Sequence, residues 1–277
     1  MTELSAYQFS PLREGPFTLS RGLGDGLAPI LLVTPAGDYP VPESLQRLEH
    51  EYALRTELDA DWAARPVELL RRDVRQVLVL EDYGGEPLER LLGQPLGVGA
   101  FLHIAIPLTA ALGHVHARGL IHKDVRPANI LVDTASGGVW LTGFGIASHL
   151  PREHQTPAPP DVIAGTLAYM APEQTGRMNR SVDSRSDLYA LGVTFYEMLT
   201  GTLPFTARDS MELVYSHIAR QPVPPSERVP SVPDQLSAIV VKLLAKMAED
   251  RYQTSVGLAL DLRRCLAEWE AFGHIES

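Results

Sequence analysis

Between Leu120 and Leu131 the chain reads L-I-H-K-D-V-R-P-A-N-I-L, which sets the carboxylate of Asp124 five residues ahead of the carboxamide of Asn129, with Arg126 and Pro127 between them. That pairing suits phosphoryl transfer. A carboxylate so placed orients or deprotonates an attacking hydroxyl, and a carboxamide oxygen holds a metal ion on the nucleotide. Taken alone, the same residues also read as an ordinary polar loop between a helix and a strand, so the elements around them must decide.

The 277 residues are long enough for one large domain or two lobes, and 45% hydrophobic content is that of a globular chain. A formal charge of −10 argues against a nucleic-acid partner, which calls for clustered Lys and Arg. One cysteine, Cys265, leaves no internal disulfide and fits a reducing, cytoplasmic setting. The first fifteen residues lack a signal-peptide core, and the most apolar stretch, Phe101 to Leu112, is interrupted by His103 and Pro107 and reads as too short for a bilayer, so no membrane partner is expected.

Residues 1–16 read as a lead-in without periodicity. A short strand at Phe17–Arg21 leads into G-L-G-D-G (Gly22, Gly24, Gly26), where backbone N–H groups can approach phosphates or the chain can simply turn a hairpin. The apolar run Ile30–Val33 is a second strand, and Pro42-Glu43 opens a helix with Leu45, Leu48, Tyr52 and Leu54 at helical spacing. Two further strands fit Pro66–Leu70 and Gln76–Leu80, with Asp73 in the turn, and Gly84-Gly85 suits a hinge. Beyond it a short helix near Pro87–Leu92 and a long one from about Ala100 to Arg118 end at Gly119, the expected C-terminal cap. A strand at Val139–Thr142 runs into Gly143-Phe144-Gly145, and Pro151–Pro160 reads as an exposed loop. From Ser184 the pattern is helical, over roughly 186–200, 209–220, 234–247 and 254–271, with the Pro-rich connector Pro222–Pro233 inside it. Strands first and helices after give an α+β fold of two unequal lobes. His114 and His116, two apart on a helix, face different ways and do not chelate, so no structural metal is expected.

Further motifs make the pattern specific. Gly143-Phe144-Gly145 begins 19 residues after Asp124; Gly165-Thr166 runs on to Ala171-Pro172-Glu173; Asp187 lies in S-D-L-Y-A-L-G-V; and Arg251 lies in E-D-R-Y. In this order and spacing the chain resembles a protein kinase of the Ser/Thr type. The resemblance implies a two-lobed kinase-like domain over about residues 17–272, with a small, shortened β-rich N-lobe (about 17–83) and a large helical C-lobe (about 86–272). It implies a catalytic loop carrying Asp124, Arg126 and Asn129, the last also a metal ligand, with ATP and magnesium as cofactors. Nucleotide contacts fall at Gly22, Gly24, Gly26, Glu51, Glu81 and Tyr83. Structural roles fall to Asp187 under the catalytic loop, to Glu173 paired with Arg251, and to Thr166, which contacts that loop. A small-molecule phosphotransferase shares the His-x-Asp-x-x-x-x-Asn core but lacks the Ala-Pro-Glu motif and the L-T-G-T-L-P-F stretch (Leu199–Phe205).

Tyr39-Pro40, Gly165–Asp183, His217–Pro225 and Leu243–Gln253 narrow the likeness to the N-terminal kinase-like module of bacterial hybrid signalling proteins. That resemblance implies downstream ATPase-like and histidine-kinase domains as partners and makes residues 273–277 the start of a connector.

The chain departs from the kinase pattern where ATP is held. Glu51 matches the helix glutamate, and counting back 18 residues puts the strand lysine at Val33; no lysine precedes Lys123. Arg21 is the candidate replacement. Gly143 stands where the metal-binding Asp belongs and offers no carboxylate. Only seven residues separate Gly26 from Val33, which cramps the hairpin over the phosphates. Lys123 in place of the usual Arg is a point charge that suits a phosphate on the following loop (Ser148, Thr156) less well. Phe144 can fill the adenine pocket or the metal site, and the sequence does not place it. Two functions follow: a pseudokinase module regulating partner domains, or an active Ser/Thr kinase with a rebuilt nucleotide site.

Overall fold

In the computed structural model the described residues are 2–37, 39–72, 75–149 and 167–276. They form two compact units, one of residues 1–88 and 128–147 and one of residues 89–127 and 148–277. This is the α+β, two-lobed kinase-like architecture.

The first unit is built on a five-stranded antiparallel sheet of β1 (Gln8–Arg13), β2 (Phe17–Leu23), β3 (Ile30–Pro35), β4 (Pro66–Arg72) and β5 (Arg75–Glu81), in the order β1-β2-β3-β5-β4. The supposed lead-in is therefore a strand, and the sheet is complete. Its sequence hid it, because Pro11 removes a ladder donor and the inward and outward positions do not alternate. The edge position tolerates the proline. A bulge between Pro11 and Arg13 lets both Leu12 and Arg13 turn inward, to 6% and 8% exposure, where a regular strand would send neighbours to opposite faces. Asp73, the expected turn residue, lies outside the described residues.

Helix α1 (Pro42–Ala53) starts with proline at its first position, where no intrahelical donor is lost. Leu48 of α1 joins Leu12, Leu19, Leu31, Val33, Leu78, Leu80 and Leu131 in one apolar core. A small second sheet completes the unit.

The second unit is helical. Its longest helix, α2 (Val98–Ala117), is longer than the apolar stretch suggested and carries Pro107 inside it. By length and composition it could cross a membrane, yet Phe101, Leu102, Ala105, Leu108 and Leu112 are buried as core. Gly119, with φ of +73°, takes the left-handed position after it. Asp183 caps α3 (Ser184–Thr200) through Arg185 N–H at 2.9 Å, and Gly201 closes it. There follow α4 (Ser210–Ala219), a one-turn helix α5 (Pro225–Arg228) inside the Pro-rich connector, α6 (Asp234–Leu243) and α7 (Ser255–Phe272), which packs on α2.

Candidate active site

In the helical unit, Asp187 does what its place near the start of α3 requires. Its carboxylate is almost fully buried and accepts the backbone N–H groups of His122 and Lys123, both at 2.8 Å, and the His116 ring at 2.9 Å. His116 also reaches the Ser255 hydroxyl at 3.1 Å, tying the end of α2 to the start of α7. Its role was not legible, because Asp187 lies 71 residues along the chain. Lys123 is held with φ of +68°, the one described non-glycine residue in that region, and its carbonyl accepts from Gln174 at 3.0 Å. Fixing the backbone on both sides of a left-handed residue is how such strain is sustained. Asp124 follows, with Arg126 Nε 3.2 Å from its Oδ1. Glu173 and Arg251 pair as expected, at 2.7 and 2.9 Å through two parallel bonds. Thr166, Thr156 and the Pro151–Pro160 loop lie outside the described residues.

In the strand unit, Val33 sits on β3 in the apolar core, so the lysine position is filled by packing. Glu51, buried on α1, instead accepts the N–H of Gly143 at 3.2 Å. His50 reaches the Ala147 carbonyl at 2.6 Å, and a Cβ on Gly145 would meet Arg47 at 3.0 Å. Helix α1 is thus fastened to residues 143–147 directly, without an ion pair to β3. Phe144 is fully buried and packs edge-on against Trp62 at 6.4 Å.

Several expected nucleotide contacts have other occupations. Gly22 lies in β2 one residue before its end, and a Cβ there would lie 2.5 Å from Phe9; one on Gly24 would lie 2.7 Å from the Ala6 carbonyl. Gly22 and Gly24 make room for Phe9 and Ala6, and the G-L-G-D-G stretch forms the turn between β2 and β3. Gly26 has φ of +71° in the same turn. The shortened hairpin inferred from Gly26 to Val33 is corrected with it, since β1 supplies the missing strand. Arg21 is no substitute for the lysine. It makes bonds of 2.5 and 3.2 Å to Asp82 and one of 3.0 Å to Glu86, and it donates to the Gly85 carbonyl at 2.6 Å. Burial alone would lower its pKa, but these carboxylates raise it. Glu81 takes two bonds from Arg65, at 3.0 and 2.9 Å, and one from the Tyr83 hydroxyl, whose ring stacks on Trp140.

The side chain that does reach the metal position is Arg13, which the sequence reading passed over. Its Nη1 donates to Asn129 Oδ1 at 2.5 Å and to the Ala128 carbonyl. Gly143, with φ of +80°, lies so close that a Cβ there would meet the Asn129 carboxamide at 2.8–2.9 Å. A divalent ion does not fit this donor set. The carboxylate expected at position 143 is missing, and the Asn129 amide oxygen already faces a guanidinium. Among the described residues no cluster of His, Cys, Asp and Glu offers another metal site.

The protein kinase domain family matches residues 41–260 of the chain. Serine/threonine-protein kinase Pkn1 of Myxococcus xanthus is 39% identical over 201 residues, 70% of this chain and 28% of that protein. Serine/threonine-protein kinase PknB of Mycobacterium tuberculosis is 41% identical over 154 residues, 56% of this chain and 24% of that protein. The PknB of Mycobacterium leprae is 37% identical over 189 residues, 68% and 30%. The matched segments span under a third of the length of these relatives.

Proposed function

This chain belongs to the protein kinase family, and we propose that within it the chain is a pseudokinase: a kinase-fold signalling module that acts by binding and does not transfer phosphate. The observation that carries this reading is the environment of Asn129. The group that should share a metal with an aspartate instead faces Arg13 on one side and the bare backbone of Gly143 on the other. The loss of the strand lysine at Val33 points the same way, because both parts are needed to clamp and neutralise the phosphates. Loss of one such contact typically lowers a rate by about 10²–10³.

The ordered backbone before Asp124, held by Asp187 and by Gln174, then serves as a rigid platform for partners. We take these to be the ATPase-like and histidine-kinase domains of a bacterial hybrid signalling protein, with residues 273–277 opening the connector toward them. A cytoplasmic setting suits the buried free thiol of Cys265. The alternative is an active Ser/Thr kinase, favoured by the names of its bacterial relatives and by the retained Asp124, Arg126 and Asn129.

Labelled ATP with Mg²⁺ or Mn²⁺ separates the two. The pseudokinase reading expects no phosphate on the chain or on a general acceptor protein above the level of Asp124→Asn. Incorporation that Asp124→Asn abolishes would overturn it.

A further inference from the structure

An arginine buried to 8% exposure is costly unless its charge is met. Arg13 reaches this position by two local departures from strand regularity: Pro11 in the edge strand, and the bulge that turns Leu12 and Arg13 inward together. Bulges of this kind re-aim a side chain. Here the re-aimed side chain brings a cation to two oxygen acceptors, the Asn129 carboxamide and the Ala128 carbonyl. Neutral oxygens of this kind are what a hard metal ion would use.

We propose that Arg13 is the resident cation of this site, a positioning residue whose guanidinium takes over the metal's part in holding Asn129 and leaves the site indifferent to divalent ions. The proposal rests on the pseudokinase reading and adds to it a cause: the chain's own first strand supplies the charge. Like charge then opposes a second cation at Asn129, and the amide oxygen is held facing the guanidinium. Glu51, turned onto the Gly143 N–H, completes an arrangement that needs no metal to keep its order.

The test uses the full chain and two readouts, thermal unfolding and the free-Mn²⁺ signal in electron paramagnetic resonance. Wild type should leave both unchanged up to millimolar Mn²⁺. Asn129→Asp should raise the melting temperature, because a carboxylate then faces the guanidinium. In an Arg13→Met background the same change should lower it, and the double variant should bind Mn²⁺ at least about tenfold more tightly than wild type, one tenfold step being about 1.4 kcal/mol. Arg13→Lys keeps a cation without the fork and should retain part of the rise, which preserves the comparison if Arg13→Met does not fold. An Asn129→Asp effect of the same sign with and without the charge at position 13 would overturn the proposal, as would Mn²⁺ binding by wild type that Asn129→Ala removes. Phosphate transfer enters neither readout, so this proposal and the pseudokinase reading fail on different results.

Discussion

Arg251→Met is expected to destabilise the chain by about 3–5 kcal/mol, because it strands a buried carboxylate. The Arg251 side chain is 0% exposed and that of Glu173 is 3%, so water cannot replace the lost partner. The guanidinium spends its donors on both Glu173 oxygens and on the carbonyls of Arg185, Ala245 and Lys246, at 2.8–3.0 Å. One side chain thus fastens the start of α3 to the segment after α6. Among the described residues Glu173 would keep only the Ser186 hydroxyl, at 2.7 Å. Urea denaturation measures the loss. Pairing the change with Glu173→Gln should cost less than the sum of the two single variants, since the second removes the charge that the first left unmet. A loss under about 1 kcal/mol for Arg251→Met, the range of an exposed pair, would refute a structural role for this contact.

His217→Gln is expected to flatten the acid limb of the stability curve. His217 on α4 is fully buried, with Nδ1 2.9 Å from the Tyr189 hydroxyl and its ring against Phe205. Burial first, and then the nearby Lys246 charge, push its pKa down from 6.5 to about 3. The folded chain therefore holds this ring neutral while the unfolded chain takes up a proton. Its contribution is fully present above the unfolded pKa near 6.5 and is lost as pH falls toward 3. Below about pH 6 the slope from this one group approaches 1.4 kcal/mol per pH unit. The glutamine variant should be less stable at neutral pH, where Tyr189 loses its ring partner, but should lose less on acidification. Parallel acid limbs for the two proteins would contradict a neutral buried imidazole.

Most of the helical unit could be read in advance because its parts are chemical groups at set spacings. Asp187, Glu173 and Arg251 each have one type of partner that a buried charge can accept, and α3 and α4 begin on side-chain caps from Asp183 and Asp209. The strand unit was harder for physical reasons. β1 is irregular, with a proline and a bulge, so Q-F-S-P-L-R shows no alternation, and Arg13 was hidden with it. Three glycines in five residues look like a phosphate turn, yet what Gly22 and Gly24 must accommodate is Phe9 and Ala6, which a local reading cannot supply. Arg21 was plausible as a clamp until Asp82 and Glu86, more than sixty residues on, claimed its donors. The bond of His116 to Asp187 exists only once α2 and α3 have packed.

The measurement that bears most directly on the central claim is a thermal-shift titration of the wild-type chain with ATP, with and without Mg²⁺ or Mn²⁺. A ligand at 100 times its Kd adds about 2.7 kcal/mol to stability, a shift that is easily resolved. With Arg13 on Asn129 and no carboxylate at Gly143, the melting temperature should show no metal-dependent rise at millimolar ATP. A rise that appears only when the metal is added would contradict the reading of this chain as a pseudokinase.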